Sequence, residues 1–373
     1  MTNDYYMYRC LELAKLGAGY VAPNPMVGAV LVHEGRIIGE GWHQAYGEAH
    51  AEVNCIGQAV QDGFAGRINQ SCLFVSLEPC VHFGKTPPCT DLIMNHKIPE
   101  VVTGCADPFR EVAGKGIEKL RQAGVNVTVG VLEKECEELN KRFFTFHTQH
   151  RPYIILKWAQ TSDGYIAASH KSFPKEGING DSGSKRLLIS NDYSNRLVHK
   201  WRSEESAILI GTNTALLDDP ELTTRIWPGN SPVRLVVDME LKLPHTLNLF
   251  NRQQPTIVFN AVKHDMGESI SSPSLRGSTG VGFYQVTKDA GLVYQVLNAL
   301  NQLKIQSVLV EGGARLLQSF IDEGMWDEAR KIENRKLKIQ NGLPAPQLPE
   351  CLKTEEINLF NDKIEIFKRL NID

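Results

Sequence analysis

The chain has 373 residues, 42% of them hydrophobic and 22% charged, with a formal net charge of −3. Single cores rarely grow past about 250–300 residues, so two globular domains are expected, and the charge gives no reason to expect a nucleic-acid or membrane-surface partner. The opening MTNDYYMYRC has no basic region leading into an apolar run, so no signal peptide is expected, and no apolar stretch approaches a membrane span of about 20 residues. A cytosolic (cytoplasmic) enzyme is the default class.

In chain order, YYMYRCLELAKLG carries apolar residues at helical spacing and reads as an amphipathic helix. MVGAVLVHEGRIIGEGW reads as a hairpin turning at Glu34-Gly35. AHAEVNCIGQAV reads as a helix, CLFVSLE as a strand and PPCTDLIMNHK as the start and body of a helix. Next come a strand in EVVTGCAD, a helix in GKGIEKLRQAG closed by Gly124, a strand in VNVTVGVL and a helix in EKECEELNKRFFTFHT. Strands alternating with helices predict an α/β domain on one sheet, ending near residue 148. After Pro152 the alternation resumes, with strands expected at 153–160, 206–211, 232–238, 255–260 and 306–310. Helices are expected at 191–203, 289–301 and 313–322, and the Gly/Ser/Lys-rich stretch 169–185 reads as an exposed loop. The expected domains are therefore 1–148 and 149–373.

Eight cysteines are too sparse for a disulfide scaffold, and in a reducing compartment most serve as small buried hydrophobes. Cys80 and Cys89 stand out within PCVHFGKTPPC, because the filling between them is polar. Upstream, EAHAEVNCIG sets His50 two residues before Glu52 at a helix start. Alone, His-x-Glu is weak, since an acid is welcome at any helix N-terminus. Followed by a strand and Pro-Cys…Cys, it is the signature of zinc-dependent nucleoside and base deaminases. One imidazole and two thiolates give three ligands to a tetrahedral zinc and leave the fourth position for water, whose pKa falls towards about 7. Glu52 is then the proton shuttle from water to ring nitrogen and departing ammonia. A closed structural zinc is the competing reading; it needs a fourth ligand, for which His82 is the nearest candidate, and it leaves Glu52 without a task.

For a hydride donor, GAGYVA at 17–22 fits a dinucleotide fingerprint by letter but ends a helix instead of following a strand, so it is rejected. SVLVEGGARLLQSF is better placed: an apolar strand, Gly312-Gly313, then a helix whose N-terminus can receive a phosphate. A plain strand-to-helix turn explains the same letters.

PCVHFGKTPPC, together with APNPMVGAVLV and HAE, resembles the deaminase half of the bifunctional riboflavin-biosynthesis deaminase–reductases. YIILKWAQTSDGYIA, AILIGTNTALLDDPELTTR and VLVEGGARLLQSFI are similar to the reductase half, so the resemblance spans about residues 4 to 346. It implies an α/β protein with an N-terminal cytidine-deaminase-like three-layer domain and a C-terminal dihydrofolate-reductase-like α/β domain. It implies zinc on His50, Cys80 and Cys89, with Glu52 as proton donor. Asn24, His43, His82, Lys85 and Thr86 fall at positions that grip the pyrimidine and its phosphoribosyl arm; for Lys85 and Thr86 the bland alternative is a solvated loop. NADPH contacts are implied at Ala159, Thr214, Asp218 and the run Gly313, Ala314, Arg315, Leu316, Leu317, Gln318 and Ser319. Lys157, Asp218 and Glu311 are implied around the ribose that is reduced, and Arg202, Leu222 and Arg225 at the substrate. Without the resemblance, Asp218-Asp219-Pro220 reads as a turn that ends a helix. One departure is plain: the family's Ser-x-Trp-Ile-Thr segment is replaced by KRLLIS, which puts roles for Arg186 and Leu188 in doubt.

The expected activity is hydrolytic deamination of 2,5-diamino-6-(5-phosphoribosylamino)pyrimidin-4(3H)-one, then NADPH-dependent reduction of the ribosyl group to ribityl. The expected partners are that substrate and further copies of the chain, as a dimer or tetramer. Two other readings stand beside it. One is a zinc deaminase of another base whose second half is a non-catalytic dimerisation domain, which NADPH binding by a 149–373 fragment would argue against. The other is a non-catalytic zinc-stabilised binding protein, favoured if zinc removal unfolded a chain that turns over no base.

Overall fold

A computed structural model describes residues 2–81, 87–109, 113–168, 188–267, 279–288 and 291–370. His82, Lys85, Thr86 and Arg186, and the 169–185 loop expectation, lie outside the described residues. The chain divides into two compact units, Met1–Arg151 and Pro152–Asp373.

In the first unit the elements run α1 (Asn3–Lys15), β1 (Gly28–His33), β2 (Arg36–Trp42), α2 (Ala51–Gln61), β3 (Cys72–Leu77), α3 (Cys89–Asn95), β4 (Glu100–Cys105), α4 (Lys115–Gln122), β5 (Asn126–Val129), α5 (Glu133–Leu139) and α6 (Lys141–Gln149). The strands form one sheet in the order β2-β1-β3-β4-β5, antiparallel at its first two junctions and parallel at the last two. The β1–β2 turn falls where expected, with Glu34 and Gly35 both at positive φ, 48° and 77°. Neighbouring residues of a strand face opposite ways, and here both faces are covered. Leu31, Leu73 and Val101 meet α2, α3 and α4 through Cys55, Ile56, Ile93 and Leu120. Val30, Phe74 and Val102 meet α1 and α5 through Met7, Leu11 and Cys136. Burial on both faces explains why these strands read as continuous apolar runs, and the result is a three-layer α/β unit.

The single helix expected over 133–148 is two helices, broken at Asn140. The buried Asn140 side chain accepts the Met26 N–H at 2.8 Å and donates to the Met26 carbonyl at 2.9 Å. A short amide that can bond nearby backbone competes with helix continuation, and at this position it ties the 22–27 segment to the helical layer.

The second unit contains β6 (Tyr153–Thr161), β7 (Tyr165–Ala168), α7 (Asp192–Glu204), β8 (Ala207–Gly211), α8 (Thr212–Asp218), β9 (Val233–Val237), β10 (Thr256–Asn260), β11 (Val281–Gln285), α9 (Leu292–Gln302), β12 (Ser307–Glu311), α10 (Ala314–Asp322), β13 (Glu328–Asn334), β14 (Gly342–Pro344), β15 (Cys351–Leu359) and β16 (Asp362–Arg369). Nine strands pair in the order β11-β10-β9-β8-β12-β6-β13-β16-β15, parallel from β11 through β13 and antiparallel at the β16 and β15 edge. The helix α7 starts cleanly because the Asn191 side chain accepts the N–H groups of Tyr193 and Ser194, each at 3.0 Å. In open α/β sheets ligands gather at the carboxyl ends of parallel strands. Here those ends carry Glu311, Gly211 and the residues that follow them.

Candidate functional site

In the first unit three side chains converge, two of them from helix starts. His50 is the extended N-cap residue of α2, Cys89 is the first residue of α3, and Cys80 lies in the chain after β3. His50 Nδ1 is 3.6 Å from Cys80 Sγ and 3.3 Å from Cys89 Sγ, and one ligand atom from each residue lies within 4.8 Å of the others. A tetrahedral metal with bonds of about 2.0–2.3 Å holds its ligand atoms at about such separations. The Cys89 N–H also points at Cys80 Sγ at 3.3 Å. The side-chain hydrogen bond between the two sulfurs draws Cys80 down to about 4 against burial, with His50 assisting. The same bond pushes the Cys89 thiol up, with burial adding to it. A thiolate, a second thiol one proton away and an imidazole form a donor set suited to zinc.

Glu52 sits in the first turn of α2, only 3% exposed. Burial pushes its carboxyl up, and Cys80 adds to the effect. A carboxyl biased toward its protonated form beside a metal-ligand triad suits proton transfer. Beyond the triad, Asn24 Nδ2 and His43 Nε2 are 3.1 Å apart, His43 Nδ1 meets the Ala49 carbonyl at 3.0 Å, and the His43 and His50 rings lie edge to face with centroids 5.5 Å apart. Burial lowers the His43 pKa, so a neutral ring next to Asn24 offers hydrogen bonds and not charge. Sequence reasoning missed Glu78, a buried carboxylate two residues before Cys80. Its oxygens accept the N–H groups of Asp107, Gly114, Gly116 and Ile117 at 2.7–3.2 Å, fixing the start of α4 against the ligand-bearing segment.

In the second unit Lys157 on β6 and Glu311 on β12 are partners in parallel register, so both face the side that α7 covers. From α7, Arg202 grips the Glu311 carboxylate with Nε at 2.9 Å and Nη2 at 2.7 Å, while Lys157 Nζ stands 3.7 Å away. Burial raises the Glu311 pKa, but the Arg202 and Lys157 charges outweigh it and hold the group at about 2. Ala159, two residues beyond Lys157, shares that face.

Next to this cluster, Gly312 and Gly313 turn from β12 into α10 with φ of 86° and 72°, a conformation that side chains rarely adopt. A Cβ on Gly312 would stand 3.1 Å from Thr214 Cγ2, so Thr214 and the glycine turn form the two sides of one cradle. Ala314, Arg315 and Leu316 open α10 behind it. The Leu317 side chain is fully buried in the core, so it can offer only backbone. Further along, Gln318 accepts the Gln347 N–H at 2.9 Å and Ser319 Oγ donates to the Arg315 carbonyl at 2.9 Å. Asp218 ends α8, and the next residue, Asp219, is held by Asn248 through bonds of 2.7 and 3.0 Å. Leu222, at φ 53°, buries its side chain, and Arg225 is half-exposed, its guanidinium 2.8 Å from Glu221. Leu188 is 69% exposed.

The Glu311 shift carries a prediction. Its pKa lies below the usual 4.5 of a free carboxyl, so its stabilising contribution is full above about pH 4.5 and is lost as pH falls towards 2. Glu311→Gln also removes the charge against which Arg202 is buried, a loss of about 3–5 kcal/mol for a broken buried pair. The variant is therefore expected to be less stable at neutral pH and to lose less on acidification. Denaturant titrations between pH 6 and 3, followed by tryptophan fluorescence, check this, since Trp158, Trp201, Trp227 and Trp326 all lie in the second unit. Wild type and variant losing stability in parallel would refute it.

Residues 1–105 match the family described as the cytidine and deoxycytidylate deaminase zinc-binding region, and residues 152–332 match the RibD C-terminal domain. The chain is 40% identical to the riboflavin biosynthesis protein RibD of Aquifex aeolicus, covering 98% of each chain, and 38% identical to that of Bacillus amyloliquefaciens over 87% of this chain and 82% of the relative. Among solved structures it is similar to a Thermotoga maritima diaminohydroxyphosphoribosylaminopyrimidine deaminase/5-amino-6-(5-phosphoribosylamino)uracil reductase, at 35% identity, 99% coverage of both chains and a TM-score of 0.81. Acinetobacter baumannii RibD matches with 28% identity, 99% coverage of both chains and a TM-score of 0.84.

Proposed function

Because the chain belongs to the RibD family of riboflavin-biosynthesis deaminase–reductases, we propose that its two units house one active site each. The protein is an α/β enzyme with a cytidine-deaminase-like N-terminal domain and a dihydrofolate-reductase-like C-terminal domain. It deaminates 2,5-diamino-6-(5-phosphoribosylamino)pyrimidin-4(3H)-one to 5-amino-6-(5-phosphoribosylamino)uracil and then reduces the ribosyl group to ribityl, using zinc and NADPH.

We assign the metal to His50, Cys80 and Cys89. When bound there, zinc supplies a water acidic enough to attack the ring near neutral pH. Glu52 would carry the two protons of that water in turn, the first to the ring nitrogen and the second to the amine that departs as ammonia. Asn24 and His43 hold the pyrimidine edge, and His82, Lys85 and Thr86 are read as the grip on the phosphoribosyl arm. In the reductase domain, NADPH supplies the hydride when bound. Its phosphates are assigned to the Gly313–Ser319 helix start and its remainder to Ala159, Thr214 and Asp218. Lys157, Asp218 and Glu311 orient the ribose, while Arg202, Leu222 and Arg225 receive the rest of the substrate, the two guanidiniums suiting its terminal phosphate.

The observation that carries this reading is the three-ligand triangle with a buried Glu52 beside it, 3% exposed. Among the described residues three protein ligands meet, and a site with three protein ligands leaves a coordination position open, as a closed structural site does not. Cys89→Ala tests it: about one equivalent of zinc per chain is expected in the wild type by elemental analysis, and loss of both metal and deamination in the variant. Retention of metal and deamination together would remove the ligand assignment.

We further read the enzyme as a cytoplasmic homo-oligomer. A reducing compartment keeps the ligand thiols available, and among the described residues no helix is long and apolar enough to cross a membrane. Support for self-association is the edge strand β15, where Leu352 is 56% exposed, with Phe360, 72% exposed, in the turn that follows it.

A further inference from the structure

One face of α7 lies against the segment that carries Leu222 and Arg225. His199 and Arg202 are one turn apart and so share that face. Each holds backbone of the segment: His199 Nδ1 accepts the Arg225 N–H at 2.9 Å, and Arg202 Nη1 donates to the Thr223 carbonyl at 3.3 Å. One residue further along α7, Ser203 receives the returning chain at Gly229, whose φ is 129° and where a Cβ would stand 2.8 Å from Ser203 Cβ. The segment is thus pinned at three successive points by one helix. Arg202 is already committed to Glu311, whereas His199, 7% exposed, puts its ring nitrogen on the Arg225 backbone within the field of Arg202, Lys157 and Glu311.

We propose that His199 is a positioning residue of the reductase site: its unprotonated Nδ1 fixes the Arg225 backbone and thereby the direction from which the Arg225 guanidinium meets the substrate's phosphate. An imidazole nitrogen accepts a hydrogen bond only when it carries no proton. Burial, with the charges of Arg202 and Arg225, lowers the His199 pKa to about 4, so the ring is neutral near pH 7, and the bond from the Arg225 N–H selects the tautomer with its proton on Nε2. With that bond lost, the Arg225 N–H is orphaned and the backbone from which the guanidinium must turn from Glu221, 2.8 Å away, towards the substrate is no longer held. The inference rests on the assignment of Arg225 to the substrate phosphate.

The test uses full-length enzyme with His199→Asn, His199→Gln and His199→Leu, alongside Arg225→Ala. Asparagine sets an oxygen where Nδ1 stands, glutamine is closer in volume but sets no acceptor there, and leucine fills space only. KM for the deaminated substrate should rise by about tenfold in the Gln and Leu variants, the size of one hydrogen bond whose partner is left buried. The Asn variant should stay within about threefold of wild type, kcat should hold in all three, and His199→Leu should add nothing to Arg225→Ala in the double variant. A wild-type KM in His199→Leu, with KM raised in Arg225→Ala, would overturn the inference alone. An equal rise in His199→Asn would overturn it as well, by making the role one of packing. A wild-type KM in Arg225→Ala would remove the Arg225 assignment and the inference with it.

Discussion

Glu52→Gln is expected to lower deamination by about 10²–10⁴-fold, the usual contribution of a positioned general acid–base group, with zinc content unchanged. Glutamine keeps the shape and the hydrogen-bonding reach of the side chain at a position that is 3% exposed, so packing of α2 against the sheet is preserved. What it removes is the ability to carry a proton. Reduction of supplied 5-amino-6-(5-phosphoribosylamino)uracil should stay near wild type, because the groups assigned to reduction all lie in the second unit. A variant that deaminated within a few-fold of wild type would show that the proton travels by another group.

Lys157→Ala is expected to do the reverse, reducing ribosyl reduction by about 10²–10³-fold, the cost typical of losing one electrostatic group from a preorganised site, and sparing deamination. This substitution is informative because it does not orphan Glu311. The carboxylate keeps both bonds from Arg202, at 2.7 and 2.9 Å, and the β6–β12 pairing is made by backbone. A fall in activity with an unchanged melting profile would therefore report on the ammonium group itself. Reduction at wild-type rate in this variant would show that the ribose is oriented without Lys157.

The sequence was most readable where a strand is buried on both faces. AILIG, the VLV of β12 and the YIIL of β6 are continuous apolar runs because helices cover both sides of the sheet. The far edge of the second sheet was not readable in that way. The strand β13 carries Glu328 and Arg330, which pair with each other at 2.6 Å in the interior, so the charges break the apolar pattern. The strand β15 is exposed along most of CLKTEEINL, and β16 buries Glu365 against lysines from β13, β15 and its own strand. No element was therefore assigned after residue 322, although Phe360-Asn361, between the paired Leu359 and Asp362, is a hairpin turn whose asparagine was available as a signal.

The sites divide in the same way. His50, Cys80 and Cys89 were legible because metal chemistry demands particular residue types, and the structure brings them to 3.3 and 3.6 Å. Gly312-Gly313 was legible as a turn, but only the approach of Thr214 makes it one side of a cradle. Glu78, Asn140 and His199 were invisible, since each works by holding backbone that is distant in sequence, and no local pattern announces such a partner.

If one chain carries two sites that act in order, the Glu52→Gln variant offered NADPH must behave differently with the two substrates. With the diamino substrate, this variant should oxidise almost no NADPH, because no deaminated intermediate forms. With 5-amino-6-(5-phosphoribosylamino)uracil supplied, it should oxidise NADPH at the wild-type rate. NADPH oxidation at the wild-type rate from the diamino substrate, or loss of oxidation with the supplied intermediate in a folded, zinc-loaded variant, would contradict the account.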